Sequence, residues 1–297
     1  MWLPPDVGFV VTWPHGGVLA RLHDLHDQAD RACARGRVAG AGTRAGRAGR
    51  AAPSGGRGQP SEPLRLTPSS APAGVDLVFA RDKWSIERLL RAYEPDLTVC
   101  WGFPWKLPQG ALDVARLGSI NQHPALLPRH RGPIPFAWTL RDGDTGWGFT
   151  WHRMDAQLDT GNILAQGSSP VRDDDCDIAE FGPRLLEQAV ALLPRALDRV
   201  AAGDPGDPQP EEGATWAGHF EDDDYVRIDW SQPARQVHDQ VRAWHLTFGH
   251  SKLRAPVAEL DGEEVVVLQT RLSDPGGGAI RVECGDGPIW VVASEPA

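Results

Sequence analysis

"SINQHPALLPRHRGPIP", residues 119–135, sets an amide and an imidazole two places apart, Asn121 and His123, ahead of a proline-stiffened loop that carries Arg129 and Arg131. In an extended chain, residues two apart project from the same side. Asn121 and His123 then share one face, while Ile120 and Gln122 point the other way. The Pro124-to-Pro128 run ends the strand and carries the chain over the carboxyl edge of a sheet, where open α/β folds bind ligands.

Working outward, "LTVCWGF" (97–103) and "VDLVFA" (75–80) read as buried strands upstream, separated by a helix from Ser85 with Ile86, Leu89, Leu90 and Tyr93 on one face. Downstream, "WGFTWHRM" (147–154) and "GNILAQGSSPV" (161–171) read as two more strands, and a long helix follows Asp177. Strands alternating with helices predict an α/β domain with a mostly parallel sheet over residues 75–205, to which a strand at 7–13 could add. The Pro/Gly/acid run at 203–213 marks a boundary. Beyond it, a short helix (234–244) and several turn-separated strands predict a small β-barrel over residues 213–297.

The totals narrow the function classes. The chain has 297 residues, 41% of them hydrophobic, with a net charge of −10. That acidity argues against a coat for nucleic acid, though a local basic patch can still meet RNA. No apolar run approaches the roughly 18–20 residues of a membrane span. Four scattered cysteines without a Cys-x-x-Cys pair read as reduced thiols of a cytoplasmic protein. Residues 1–74 are atypical for a folded unit. From Arg31 to Pro60 there are seven arginines, no acidic residue and abundant Gly and Ala. Such a composition predicts disorder. It reads either as a basic arm toward RNA phosphate or as the product of a misplaced start or frame.

A third group completes the pattern. Asp159 lies in "MDAQLDTGNI", a turn at a strand end closed by Gly161. An amide, an imidazole and a carboxylate converging on one sheet edge suit acyl transfer, in which a developing oxyanion needs donors and an amine must lose a proton. No His-Glu-x-x-His or comparable ligand spacing is present, so no metal is expected.

Asn-x-His, then "LLPRHRGPIP", then "LDTG" resembles the signature of the 10-formyltetrahydrofolate-dependent formyltransferases, nearest to the branch that formylates initiator methionyl-tRNA. The likeness is strong from about residue 75 to 200, and "RIDWSQPARQVHDQVRAW" extends it into the C-terminal part. It implies a Rossmann-like catalytic domain followed by an OB-like barrel, with 10-formyltetrahydrofolate as formyl donor and an amine as acceptor. By the same resemblance, Asn121 and His123 stabilise the oxyanion, and Asp159 pairs with His123, favours its protonated form and assists proton removal. The folate is expected against Trp101, Gly102, Phe103, Trp105, Leu107, Gln157 and Leu158, with core packing an equal rival for the aromatics. Leu127, Pro128, Arg131 and Gly132 form the substrate loop. An amino sugar or small amine as acceptor, or an inactive relative that only binds, are the competing readings.

Overall fold

A computed structural model of the chain describes residues 8–13, 16–21, 83–103, 106–220, 225–248 and 256–297. The expected strand at 75–80, the Arg/Gly/Ala stretch at 31–60 and Trp105 lie outside the described residues.

The strand that begins the argument is β4, Ser119–His123. It sits inside a four-stranded sheet between β3, Thr98–Trp101, and β5, Gly146–Arg153, with β6, Ile163–Pro170, on the far side of β5. β3 and β4 are parallel, joined through the single-turn helix α2, Gln109–Leu112. β4–β5 and β5–β6 are antiparallel, so the parallel character expected of the sheet is confined among the described strands to one pair. The helix between β4 and β5 is α3, Pro135–Arg141.

β5 explains both layers of this unit. Trp147, Phe149 and Trp151 are at most 2% exposed and face the core. Their alternates, Gly148, Thr150 and His152, form the opposite face. The two indole N–H groups are satisfied, Trp147 Nε1 by Asp175 Oδ2 and Trp151 Nε1 by the Ala189 carbonyl, each at no more than 2.8 Å. The helix that supplies Ala189 is α4, Ile178–Ala201, which also packs Leu185, Ala196 and Val200 against the sheet. Those spacings of four, seven and four keep one helix face inward. On the other side, α1, Lys83–Tyr93, buries Ile86 and Leu90 beside Cys100, Leu107 and Ala111. Tyr93 departs from the expected apolar face and is exposed.

β1, Gly8–Trp13, lies beside β3, but its ladder partner is β2, Gly16–Arg21, in an antiparallel pair. It therefore does not extend the main sheet by a ladder, as a strand at 7–13 was expected to do.

In the C-terminal part, β7 (Val257–Leu260), β8 (Glu263–Arg271), β9 (Ile280–Cys284) and β10 (Gly287–Pro296) form an antiparallel sheet in the order β7-β8-β10-β9. Two register irregularities between β10 and β8, around Ala293, curl it into a half-barrel where the strand pattern predicts a small β-barrel. The helix α5, Ala234–Phe248, longer than the sequence suggests, faces two ways. Val237 and Val241 pack on the curled sheet, while Ala243 and Trp244 pack with Ala137 and Leu140 of α3. Its polar side chains seal the junction: Arg242, 2% exposed, donates to the Arg172 carbonyl, and His238 Nε2 donates to that of Asp173. No helix among the described residues is long and apolar enough to cross a membrane.

Candidate active site

β5 builds the floor of the site. At Gly148 a Cβ would lie 2.2 Å from the Leu126 nitrogen, so only glycine lets the 124–128 loop cross this face. Two residues on, Thr150 Oγ1 donates to the Ala125 carbonyl and accepts from Leu127 N–H and Gln166 Nε2. Two further on comes His152, opposite Asn121 in the ladder. The side chain of Leu127 is buried under the loop, and the Leu127–Pro128 peptide is cis.

The turn after β5 delivers Asp159. Asp155 Oδ1 accepts from Gln157 N–H and from Thr160 Oγ1, closing a compact turn. Asp159 takes φ = +58°, an uncommon backbone state for a non-glycine residue. A Cβ on Gly161 would stand 1.9 Å from the Arg153 carbonyl oxygen, which explains the glycine of the "LDTG" motif.

The structure brings the three predicted groups together. Asp159 Oδ2 is 3.6 Å from His123 Nδ1 and accepts a hydrogen bond from Gly132 N–H at 2.9 Å. Its Oδ1 is 3.5 Å from His152 Nε2, and that nitrogen is 3.3 Å from Asn121 Nδ2. His152 Nδ1 donates to the Arg153 carbonyl, which leaves Nε2 to accept an amide hydrogen from Asn121. His123 Nε2 lies 2.7 Å from the His130 carbonyl oxygen, an acceptor only, so this nitrogen carries the hydrogen and Nδ1 turns toward Asp159.

The electrostatics follow from burial and pairing. Burial alone pushes the Asp159 carboxyl up, but the charge that His123 takes up in acid, contacts with His152 and the Gly132 N–H outweigh it and hold the group at about 2. For His123, burial wins: it lowers the imidazole below its ordinary value, only partly offset by Asp159 and the His130 carbonyl. Asp159 pulls His123 toward the protonated form, the expected sense, but desolvation outweighs it and the net direction is toward the neutral imidazole.

A cavity of about 500 Å³ opens beside Asp159, lined among others by Gln157, Leu158, Thr160, Arg131 and Trp216. Gln157 and Leu158, expected beside the folate, are both on the cavity wall. Leu107 is buried in the α1 core cluster, and Trp101 and Phe103 pack against core clusters, Trp101 edge-on to Trp151. Gly102 ends β3 with φ = +59° and is likewise absent from the lining. Lys106, between two predicted residues, does line the cavity.

Four contributors escape the motif reading: His152, His130, Gln209 and the 214–216 segment. Gln209 Nε2 donates to the carbonyls of Asp159 and Gly161, while its Oε1 accepts from Arg131 Nε. Thus the predicted linker at 203–213 braces the site from behind. Only strand register, which puts His152 across from Asn121, could have signalled the first of these. No group of three or more His, Cys, Asp or Glu side chains among the described residues is placed to hold a metal ion.

Comparisons with known proteins agree with this geometry. Residues 75–197 match the "Formyl transferase" family model and residues 222–297 its "Formyl transferase, C-terminal domain" counterpart. A methionyl-tRNA formyltransferase of Deinococcus radiodurans is 34% identical, over 80% of this chain and 79% of its own. One from Pelobacter propionicus is also 34% identical over 68% of this chain, which spans 64% of that relative's length. The HypX structure from Aquifex aeolicus in complex with tetrahydrofolic acid shares the fold, with a TM-score of 0.54 at 21% identity over 72% of this chain and 38% of that one. With Asn121, His123 and Asp159 assembled inside the matched region, the chain belongs to the formyl transferase family.

Proposed function

We propose that this protein transfers a formyl group from 10-formyltetrahydrofolate to an amine, and that the amine is the aminoacyl end of initiator methionyl-tRNA in the cytoplasm. The observation that carries the reading is the convergence of Asn121, His123 and Asp159, the last in the same turn as Gln157, Leu158 and Thr160, which line the cavity. Relatives named methionyl-tRNA formyltransferases, one of them matched over 80% of this chain, support the acceptor. Cys100, Cys176 and Cys284 are free thiols, in keeping with a reducing compartment.

The cavity suits the donor. Its volume of about 500 Å³ is that of a small-molecule site. Leu158 offers an apolar wall, Gln157 amide groups, and Lys106 and Arg131 cations for the carboxylates of a folate tail. When bound, the folate supplies a formyl carbon already activated on an aryl amine nitrogen.

The chain's own groups divide the work by their hydrogens. Asn121 Nδ2 has two, and His152 engages one. The other is free to donate to an oxygen that gains negative charge. His123, neutral because it is buried, offers the Nδ1 lone pair to a proton released by an attacking amine. Once protonated, the same Nδ1 becomes a donor stabilised by the Asp159 carboxylate 3.6 Å away.

The test is calorimetric titration with a stable 10-formyltetrahydrofolate analogue, followed by formylation assays on methionyl-tRNA. Micromolar binding and transfer are expected. A folded sample that binds no analogue overturns the folate reading, and transfer only to small amines overturns the acceptor.

A further inference from the structure

His130 has no place on the cavity wall, yet its main chain touches the chemistry. Its carbonyl oxygen accepts from His123 Nε2 at 2.7 Å. Reaching that position requires a left-handed turn, φ = +57°, uncommon for a non-glycine residue though less so for histidine than for most. The side chain accounts for it. The imidazole of His130 is 2% exposed, and its Nε2 donates to Asp144 Oδ2 at 2.7 Å. Asp144 is itself braced by Arg129 at 2.9 Å. On the other edge of the ring, Nδ1 faces the Thr215 hydroxyl at 3.5 Å and Asp142 Oδ2 at 3.8 Å, and Thr215 Oγ1 also accepts the His130 main-chain N–H at 2.8 Å. Two residues on, Gly132 N–H holds Asp159. One short loop therefore fixes both members of the His123–Asp159 pair by main-chain groups.

We propose that His130 is a positioning residue: its pairing with Asp144 holds the left-handed turn, and the carbonyl so aimed keeps a hydrogen of His123 on Nε2, with Nδ1 facing Asp159. This deepens the formyl-transfer reading, since it names which nitrogen of His123 meets the acceptor, but the tautomer itself can be read without any activity.

The experiment is ¹⁵N NMR of histidine-labelled protein, wild type beside Asp144→Ala and His130→Asn, with His123 assigned by its own substitution. Asparagine tolerates a positive φ but cannot reach Asp144 as the imidazole does. Wild-type His123 is expected to show the Nε2–H pattern alone, and each variant a mixture of both tautomers. In parallel, kcat should fall about tenfold, a fraction of what a full acid–base group contributes, while KM and folate-analogue affinity stay within twofold. A wild-type His123 with its hydrogen on Nδ1 overturns the proposal, whether or not the variants fold. So does a pure Nε2–H pattern in either folded variant. A wild type that shows the expected tautomer but transfers no formyl group contradicts the functional reading and leaves the positioning role standing.

Discussion

Asn121 and His152 face each other across the β4–β5 ladder, Asn121 Nδ2 lying 3.3 Å from His152 Nε2. This contact fixes the plane of the amide and so the direction of its remaining hydrogen. Removing the amide, as in Asn121→Ala, is expected to lower turnover by ~10²–10³, the usual loss for one oxyanion donor. His152→Leu keeps the donor but frees its orientation, and a loss of roughly tenfold follows from the same argument. Single-turnover formyl transfer measures both, and near-normal rates in Asn121→Ala would remove the amide from the mechanism.

Acid should weaken the fold through Asp159. Its folded value of about 2 lies below that of an unfolded aspartate. The linked stability is full above pH 4 and is lost as pH falls toward 2, in total about 2 kcal/mol. Urea unfolding of wild type and Asp159→Asn between pH 2 and 5 checks this, because the variant should lack that component of the slope.

A second titration acts at higher pH. Burial, with the nearby Arg242 charge, lowers His238 to about 3. Both ring nitrogens are already used in the neutral form: Nε2–H donates to the Asp173 carbonyl, and Nδ1 accepts from the Thr270 hydroxyl. Unfolded histidine binds its proton near pH 6.5, so this stability is present above that pH and declines below it, by about 2 kcal/mol at pH 5. His238→Gln should unfold more easily at pH 7.5 yet lose less on acidification to pH 5, and equal slopes would count against the assignment.

The floor of the site makes a steric prediction. Gly148→Ala places a methyl 2.2 Å from the Leu126 nitrogen, against backbone that cannot swing aside as a side chain can. The loop that follows His123 must lift, at a cost on the order of 1–3 kcal/mol. Calorimetry should report a lower melting midpoint, and turnover should fall with it.

Much of this was legible before any coordinates. The period-two pattern at residues 119–123 places Asn121 and His123 on one face because Ile120 belongs to the core. The turn around Asp159 is written in Asp155, Thr160 and Gly161, each with its local role. What escaped reading depends on partners distant in sequence. His152 becomes a neighbour of Asn121 only through register, and Gln209 reaches Asp159 across 50 residues. Trp101, Phe103 and Leu107 have the composition of a ligand slot, and their side chains pack against core clusters, the rival that composition alone leaves open.

The Gln209 brace also bears on how such proteins can be recombined. Its amide clasps the turn that carries Asp159, and Thr215 anchors the loop behind His123, although both residues lie after the apparent end of the catalytic unit. A chimaera spliced at 203–213 would take these clasps from the wrong parent. The natural seam for exchanging C-terminal modules falls after Phe220, beyond the main-chain ties of Ala217 to the 131–134 loop, the Trp138 Nε1 bond to the Gly218 carbonyl and the packing of Phe220 on Trp138.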